Sequence, residues 1–306
     1  MAEKPHSHTM PDSMLAPDVL QSLSQTAPTV QTSDPRGVTP ADTRVAAGSC
    51  PVGAHASSPD VREADRSHDL ALAPSDIERE SLRIIRSELG SRFDALDPLV
   101  RPVVLRAIHT TADFSYADTL SFSPGPQVVA QTLDALAAGG VTILTDTNMG
   151  LAGISKPSLA RLGCMASCFM ADADVAEAAR ARGTTRAVAS MDKACEIEGP
   201  LIIAVGNAPT ALLRINELRR AGRLDPLLVI GVPVGFVHVV ESKEELLASG
   251  TPCIVSRGRK GGSNVAAAIV NALLYMLTRP GADPRAISDE ALSDAGEQPS
   301  AVGHLR

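Results

Sequence analysis

Histidine is scarce in the part of the chain that is apolar enough to fold, where only His109 and His238 occur. His109 lies near the end of a predicted helix, and Arg106, three residues earlier, shares its helix face. Hydroxyl side chains follow at once in Thr110 and Thr111. A histidine titrates near neutral pH and can donate a proton, as general acid catalysis requires. His109 is therefore the candidate acid, although a histidine held at a helix end by the helix dipole alone remains the alternative.

The charge beside His109 indicates what kind of ligand it would serve. A neighbouring cation such as Arg106 lowers the pKa of a histidine unless an anion neutralises that cation. The pair therefore favours a polyanionic ligand. His238 lies in a valine-rich stretch, and we expect it to pack or to line the cleft rather than to catalyse.

Loops rich in glycine and polar residues follow four of the predicted strands. They cover residues 146–149, 206–210, 231–236 and 258–264. Free backbone N–H groups and helix N-termini in such loops bind anions, so together they predict an anion-binding cleft. Within the loops we expect Asn207, Thr210 and Ser263 to contact a ligand. For each of them, a role in a turn or as a helix cap is the alternative.

Several common sites are missing from the sequence. There is no Gly-x-Gly-x-x-Gly after the first strand, no P-loop ending and no Gly-x-Ser-x-Gly elbow. Cys164 and Cys168 have no second pair at zinc-finger spacing, and Cys195 and Cys253 are expected to be buried apolar side chains. Five cysteines, an odd number, predict free thiols in a reducing compartment. We therefore expect no metal, no cofactor and a cytoplasmic location.

Composition excludes two classes of partner. The chain of 306 residues carries 28 Lys and Arg against 35 Asp and Glu, and only 2% of its residues are aromatic. Nucleic-acid binders usually show a basic stripe or stacking aromatic side chains, so no nucleic-acid partner is expected. No apolar run approaches the roughly 20 residues that cross a bilayer, so no membrane partner is expected either.

The two ends of the chain differ from its middle. No Ile, Phe or Tyr precedes Ile77, and proline is frequent over the same stretch. Such segments bury too little apolar surface to fold, which predicts disorder over 1–71 and again over 280–306. Residues 72–279 are predicted to form a single α/β domain.

Inside that domain, short apolar runs alternate with helical patterns. The predicted strands are 141–147, 165–170, 201–205, 227–232 and 253–255, and the predicted helices are 76–89, 97–109, 124–138, 172–182, 185–197, 209–221, 242–248 and 263–278. Runs that are apolar on both faces are typical of a parallel sheet covered by helices. The sequence predicts a doubly wound, mostly parallel sheet flanked by helices, with its ligand site beyond the carboxyl ends of the strands.

Seven segments together resemble one known family, and the resemblance extends over residues 77–275. The segments are Glu78-Arg79-Glu80-Ser81-Leu82-Arg83-Ile84-Ile85, Ile108-His109-Thr110-Thr111-Ala112-Asp113-Phe114, Thr145-Asp146-Thr147-Asn148-Met149, Gly206-Asn207-Ala208-Pro209-Thr210-Ala211-Leu212, Gly231-Val232-Pro233-Val234-Gly235-Phe236-Val237, Glu241-Ser242-Lys243-Glu244 and Gly258-Arg259-Lys260-Gly261-Gly262-Ser263-Asn264. They resemble the precorrin-8X methylmutase family of cobalamin biosynthesis. Two of them, Asp146-Thr147-Asn148-Met149 and Gly258-Arg259-Lys260-Gly261-Gly262-Ser263-Asn264, look closer in sequence to the cobalt-precorrin-8 branch of the family.

The resemblance implies an isomerase that moves a methyl group from ring carbon 11 to ring carbon 12 of a corrinoid. His109 falls on the family's proton donor, and Ser81, Arg106 and Arg186 fall on its substrate contacts. The family needs no metal and no cofactor for this reaction, and its members are homodimers. The chain departs from the family pattern at His238, where a small or amide residue is usual.

Two other functions stay open from the sequence. A protein that holds a corrinoid without converting it, as a carrier within the same pathway, would need the same cleft. An α/β domain that binds nucleotides through its glycine loops is the third hypothesis, and the missing nucleotide motifs weigh against it.

Overall fold

The computed structural model describes residues 74–279, and the predicted disorder of 1–71 and of 280–306 lies outside the described residues. The helices of this region are α1 Pro74–Leu89, α2 Ser91–Asp94, α3 Arg101–Thr111, α4 Tyr116–Thr119, α5 Gln127–Ala138, α6 Asn148–Gly153, α7 Lys156–Leu162, α8 Ala173–Ala181, α9 Arg186–Ala194, α10 Pro209–Arg220, α11 Val239–Ala248 and α12 Ser263–Thr278. The strands are β1 Leu120–Ser123, β2 Thr142–Thr145, β3 Met165–Ser167, β4 Leu201–Val205, β5 Leu228–Gly231 and β6 Cys253–Ser256.

The six strands form one sheet in the order β1-β6-β5-β4-β2-β3. Neighbouring strands run parallel from β6 to β3, and β1 pairs antiparallel with β6. The predicted fold class, a mostly parallel sheet flanked by helices, is confirmed. The five parallel strands occupy the positions that the sequence predicts. The sequence did not predict β1, which adds an antiparallel edge.

Successive side chains of the buried strands feed two separate cores. Ile143 and Ile202 pack into the core under α1, α3, α5, α7 and α12. Leu144 and Ile203, one residue further along each strand, pack on the other face against α9, α10 and α11. This alternation follows from the two-residue period of a strand, and it explains why the runs are apolar throughout. Full burial of each such side chain contributes roughly 1.5–3 kcal/mol to stability.

Two short helices between β2 and β3 were not predicted from the sequence. Thr147 begins α6 by accepting a hydrogen bond at Oγ1 from the Gly150 N–H, 3.0 Å away. Ser155 does the same for α7 through the Ser158 N–H. These N-caps satisfy N–H groups that would otherwise be unpaired at a helix start. The predicted strand 141–147 ends at Thr145 because the next residues leave the sheet to form the first cap.

The chain order of the strands creates a crevice between β2 and β4. After β2 the chain moves outward to β3, and it then returns to the other side of β2 as β4. The loops that follow β2 and β4 therefore depart in opposite directions. In doubly wound sheets, ligands bind at such a switch point, beyond the carboxyl ends of the strands.

Candidate functional site

His109 lies in the last turn of α3, and its side chain is exposed. The helix ends at Ala112, which takes a left-handed conformation with φ of 53° and donates its N–H to the Ile108 carbonyl over 2.7 Å. Among residues 74–279 the imidazole has no hydrogen bond and no ion pair. Its ring nitrogens are therefore free of partners within the described residues, and its place in the last turn also suits the helix dipole.

The end of α3 is attached to the loop that joins β6 to α12, residues 257–262, called here the glycine loop. Lys260 Nζ lies 2.6 Å from Asp113 Oδ2 and 3.0 Å from Ser115 Oγ. The hydrogen bond from Lys260, with help from Ser115, lowers the pKa of the Asp113 carboxyl to about 2. These contacts hold the segment that follows α3 against the loop at the carboxyl end of β6, on the side of the sheet where the ligand loops are.

Replacing Lys260 with methionine should bring the pKa of Asp113 back from about 2 towards its ordinary 3.8. The pKa of this acid is depressed in the folded state, so the ion pair stabilises the fold above pH 4 and is lost as the pH falls towards 2. Carbon-13 NMR titration of the Asp113 carboxyl measures the change. Lys193→Met, which removes ion pairs to Asp172 and Asp174 instead, is the control. An unchanged Asp113 pKa in Lys260→Met would contradict the assigned contact.

A groove of about 350 Å³ opens between α3 and α12, and it is called here the α3–α12 groove. It is lined by Arg106, Thr110, Met149, Gly153, Asn264, Ala267, Ala268, Asn271 and Tyr275. Its volume falls in the range of small-molecule sites. Each of the five lining residues from α12 has another three or four positions away, so they form one face of that helix. Alanines at the centre of this face keep the groove open, and polar side chains stand along it.

Arg106 supplies a positive charge to the groove, and Glu78 and Tyr275 hold its side chain in place. Its guanidinium donates to the Glu78 carboxylate and lies 5.1 Å from the centre of the Tyr275 ring. Arg279 donates to the same carboxylate and stacks on the same ring. Partial burial raises the pKa of Glu78, but the hydrogen bonds from the two arginines outweigh it and lower that pKa. One carboxylate between two guanidinium groups leaves this end of the groove with a net positive charge.

Asp146 joins the two loops at the switch point. Its carboxylate is 1% exposed and accepts hydrogen bonds from the backbone N–H groups of Gly206, Asn207 and Ala208 over 2.9, 2.8 and 2.7 Å. Burial raises the pKa of Asp146, and the three N–H donors oppose that rise. The loop after β4 is thereby fixed to the end of β2.

The side chains predicted to contact a ligand lie in several different environments. Asn207 and Arg186 are exposed, and Thr210 Oγ1 lies 3.3 Å from Thr185 Oγ1, between the starts of α10 and α9. Ser81 on α1 donates to the Ile77 carbonyl over 2.8 Å. Ser263 is 7% exposed, and its hydroxyl lies 2.8 Å from Thr147 Oγ1. Arg106 is the member of this set that lines the groove.

Sequence reasoning missed the groove residues contributed by α12. Asn271 donates to the Gly153 carbonyl over 2.8 Å and accepts from the Ser155 N–H over 2.8 Å, so it fastens the turn between α6 and α7 to α12. Asn264 and Tyr275 lie on the same helix face. A signal was present, because amides at positions i and i+7 of an otherwise apolar helix mark a common face.

Three further observations concern the thiols, the metal-ligating side chains and the helix lengths of the described residues. Four cysteines are free thiols, and burial raises the pKa of the Cys253 thiol to about 12. No group of three His, Cys, Asp or Glu side chains within residues 74–279 is placed to hold a metal ion. In the same region no helix is both long and apolar enough to cross a membrane.

A family model described as precorrin-8X methylmutase (CbiC) matches residues 76–276, which contain both cores and the groove. The chain belongs to the precorrin-8X methylmutase family. The family resemblance predicted from the sequence motifs is thus confirmed. Proteins of this family carry the name methylmutase, which denotes an isomerase that moves a methyl group.

Named relatives come from both branches of the family. The cobalt-precorrin-8 methylmutase of Salmonella typhimurium is 45% identical over 208 residues, which are 67% of this chain and 96% of that protein. The corresponding protein of Leptospira interrogans is 40% identical over 67% of this chain and 94% of its own length. The precorrin-8X methylmutase of Pseudomonas aeruginosa is 38% identical, over 64% of this chain and 93% of its own.

The fold agrees with a solved structure of the family. The crystal structure of precorrin-8X methylmutase from Thermus thermophilus superposes with a TM-score of 0.60 and 40% sequence identity. The superposition covers 67% of this chain and 98% of the Thermus chain. The described region therefore contains the equivalent of that whole protein.

Proposed function

We propose that this chain is an isomerase of cobalamin biosynthesis that moves a methyl group from ring carbon 11 to ring carbon 12 of precorrin-8X or cobalt-precorrin-8. The product is hydrogenobyrinate when the ring is metal-free and cobyrinate when it holds cobalt. The main support is the position of His109, which is unpaired at the end of α3 beside a positively charged groove, in a chain of the methylmutase family.

The reaction asks little of the protein beyond positioning and one proton. One carbon–carbon bond breaks at ring carbon 11 and another forms at ring carbon 12, so substrate and product are isomers. A proton given by the His109 imidazolium to a ring nitrogen withdraws electrons from the migrating system and lowers its barrier. The imidazole regains that proton by the end of the cycle. Holding the bent macrocycle still supplies the rest of the rate increase.

The carboxylates of the substrate explain the polar groups around His109. Arg106 in the groove binds one carboxylate, since a guanidinium has five N–H donors and Glu78 leaves several of them unused. Ser81, Arg186, Asn207 and Thr210 contact the outer parts of the macrocycle in this proposal. For Ser263 we now propose a positioning role, because its buried hydroxyl holds Thr147.

Replacing Arg106 with methionine should raise the KM by about 10-fold or more and change kcat by much less. Methionine keeps the packing on Tyr275, whereas the charge-assisted hydrogen bond to substrate is lost, which costs about 1.5–3 kcal/mol. Steady-state kinetics measure the two constants. Arg279→Met is the matched control, because Arg279 shares Glu78 and Tyr275 but does not line the groove. An unchanged KM in Arg106→Met would argue against the groove as the substrate site.

The decisive experiment follows the absorption of the corrinoid. The purified chain is incubated separately with metal-free and with cobalt-containing substrate, and the spectrum and the mass of the product are recorded. Conversion to a product of equal mass and altered spectrum supports the isomerase and identifies the preferred substrate. Tight binding without a spectral change would instead support the carrier hypothesis.

A homodimer in the cytoplasm completes the proposal. The described region has no membrane-spanning helix, and the family resemblance implies two subunits. Size-exclusion chromatography with light scattering checks the subunit number, and a monomer that is fully active would remove the dimer from the proposal.

A further inference from the structure

A buried lysine donates hydrogen bonds to the backbone of the glycine loop. Lys243 on α11 is 0% exposed, and its ammonium donates to the carbonyls of Gly258 and Lys260 over 2.9 and 2.8 Å. Its third contact is Ser256 Oγ, 3.2 Å away. Within residues 74–279 no carboxylate contacts this ammonium. The charge of Lys243 is therefore satisfied by two backbone carbonyls of the glycine loop and by the Ser256 hydroxyl.

Ser256 adds two hydrogen bonds to those between Lys243 and the glycine loop. Its hydroxyl accepts from Lys243 and donates to the Lys260 carbonyl over 2.8 Å. The Lys260 carbonyl thus has two donors, one from α11 and one from the end of β6. The same residue reaches Asp113 with its side chain. The loop is held at its backbone by Lys243 and at its surface by the end of α3.

Peptide geometry then fixes the direction of two N–H groups. In a planar trans peptide the N–H of the next residue points away from the preceding carbonyl. The carbonyls of Gly258 and Lys260 face the buried ammonium, so the N–H groups of Arg259 and Gly261 face away from it. Among the described residues neither N–H group has a hydrogen-bond acceptor. Arg259 is exposed and Gly261 is half-buried, so neither residue is closed off from solvent.

Burial of the Lys243 ammonium is costly, because it takes a charge out of water. This burial, without a paired anion, lowers the pKa of the ammonium to about 8. The three acceptors offset the cost, and an apolar side chain at this position would leave the carbonyls of Gly258 and Lys260 without this donor. The ammonium therefore fixes the direction of those two carbonyls.

We propose that Lys243 is a positioning residue that holds the glycine loop with the Arg259 and Gly261 N–H groups turned outward to bind one carboxylate of the substrate. Two neighbouring N–H groups of this kind form an anion-binding nest. The contact between Lys260 and Asp113 keeps this nest close to the end of α3 that carries His109. The inference rests on the proposed function, because it assigns the carboxylate to the corrinoid.

The test compares a corrinoid with free carboxylates and one without. The probes are hydrogenobyrinate and the same molecule with all its carboxylates methyl-esterified, and binding is measured by calorimetry or by absorption. Wild type should prefer the free acid. In Lys243→Met that preference should shrink about 10-fold, while affinity for the ester stays within about twofold. Lys156→Met, which changes an exposed lysine without partners in the described region, should behave as wild type.

A second measurement decides the matter if Lys243→Met does not fold. In the wild-type chain, the amide protons of Arg259 and Gly261 should move downfield when hydrogenobyrinate is added and should move much less with the ester. Gly183, at the end of α8, is the reference amide. Equal preference in wild type and Lys243→Met, or no downfield shift of the two amides, would overturn the inference.

A different experimental result would contradict the proposed function. If wild type converts neither metal form of the substrate, the isomerase itself is wrong. If wild type converts substrate and the acid preference survives in Lys243→Met, only the role of Lys243 is wrong.

Discussion

Replacing His109 with alanine should lower turnover by about 10²–10⁴-fold while the fold and the affinity for the corrinoid remain. The imidazole is exposed, and within the described residues it has no partner whose loss would destabilise the chain. The expected loss is therefore confined to the chemical step. Single-turnover absorption measurements at saturating substrate report it, and circular dichroism and calorimetry report folding and binding.

A second substitution separates acid catalysis from simple polarity. Glutamine keeps the size and hydrogen-bonding ability of the side chain but cannot deliver a proton. His109→Gln should therefore be impaired as severely as His109→Ala. Turnover within about threefold of wild type in either variant would refute His109 as the proton donor.

Replacing Gly261 with alanine should lower the free energy of unfolding by about 3 kcal/mol and the melting temperature by about 6–12 °C. A β-carbon here would overlap the Val232 carbonyl oxygen and lie 2.8 Å from that of Pro233. Both obstacles are backbone atoms, so no side chain can turn aside to relieve the overlap. The glycine loop must move instead, and the KM for substrate should rise with it.

The matched control for this substitution is Gly250→Ala. Gly250 has a left-handed φ of 74° but nothing within 4 Å of the added carbon, so alanine there costs only the conformational strain of about 1–2 kcal/mol. Thermal denaturation and steady-state kinetics of the two variants give the comparison. A loss of stability in Gly261→Ala no larger than in Gly250→Ala, with normal KM, would mean that the close approach is relaxed in solution.

The parts of the fold that the sequence predicts are those whose pattern is local. The parallel strands are apolar throughout and lie between helices with clear periods, which suffices to infer a doubly wound sheet. β1 is not predicted from the sequence because Leu120 and Phe122 alternate with serines over only four residues. That segment becomes a strand through pairing with β6, more than a hundred residues later.

The residues of the candidate site also differ in whether a local sequence pattern predicts them. His109 and Arg106 are recognisable from residue type and spacing, and the glycine loops from composition. The groove depends on how α3 packs against α12, which no local pattern specifies. The role of Lys243 is harder still to predict from sequence, because a lysine among the glutamates of residues 241–245 predicts an exposed position. Lys243 is buried because Ser256, Gly258 and Lys260, 13 to 17 residues later and beyond β6, bring three acceptors to it.

The carboxylate of Asp146 has a mechanical consequence. It accepts hydrogen bonds from three successive amides of the loop after β4. That loop cannot move away from the end of β2 without breaking these hydrogen bonds and leaving a buried carboxylate unpaired, which is costly. The spacing of Asn207 from Thr147, at the start of α6, is therefore set by one side chain that lies below both.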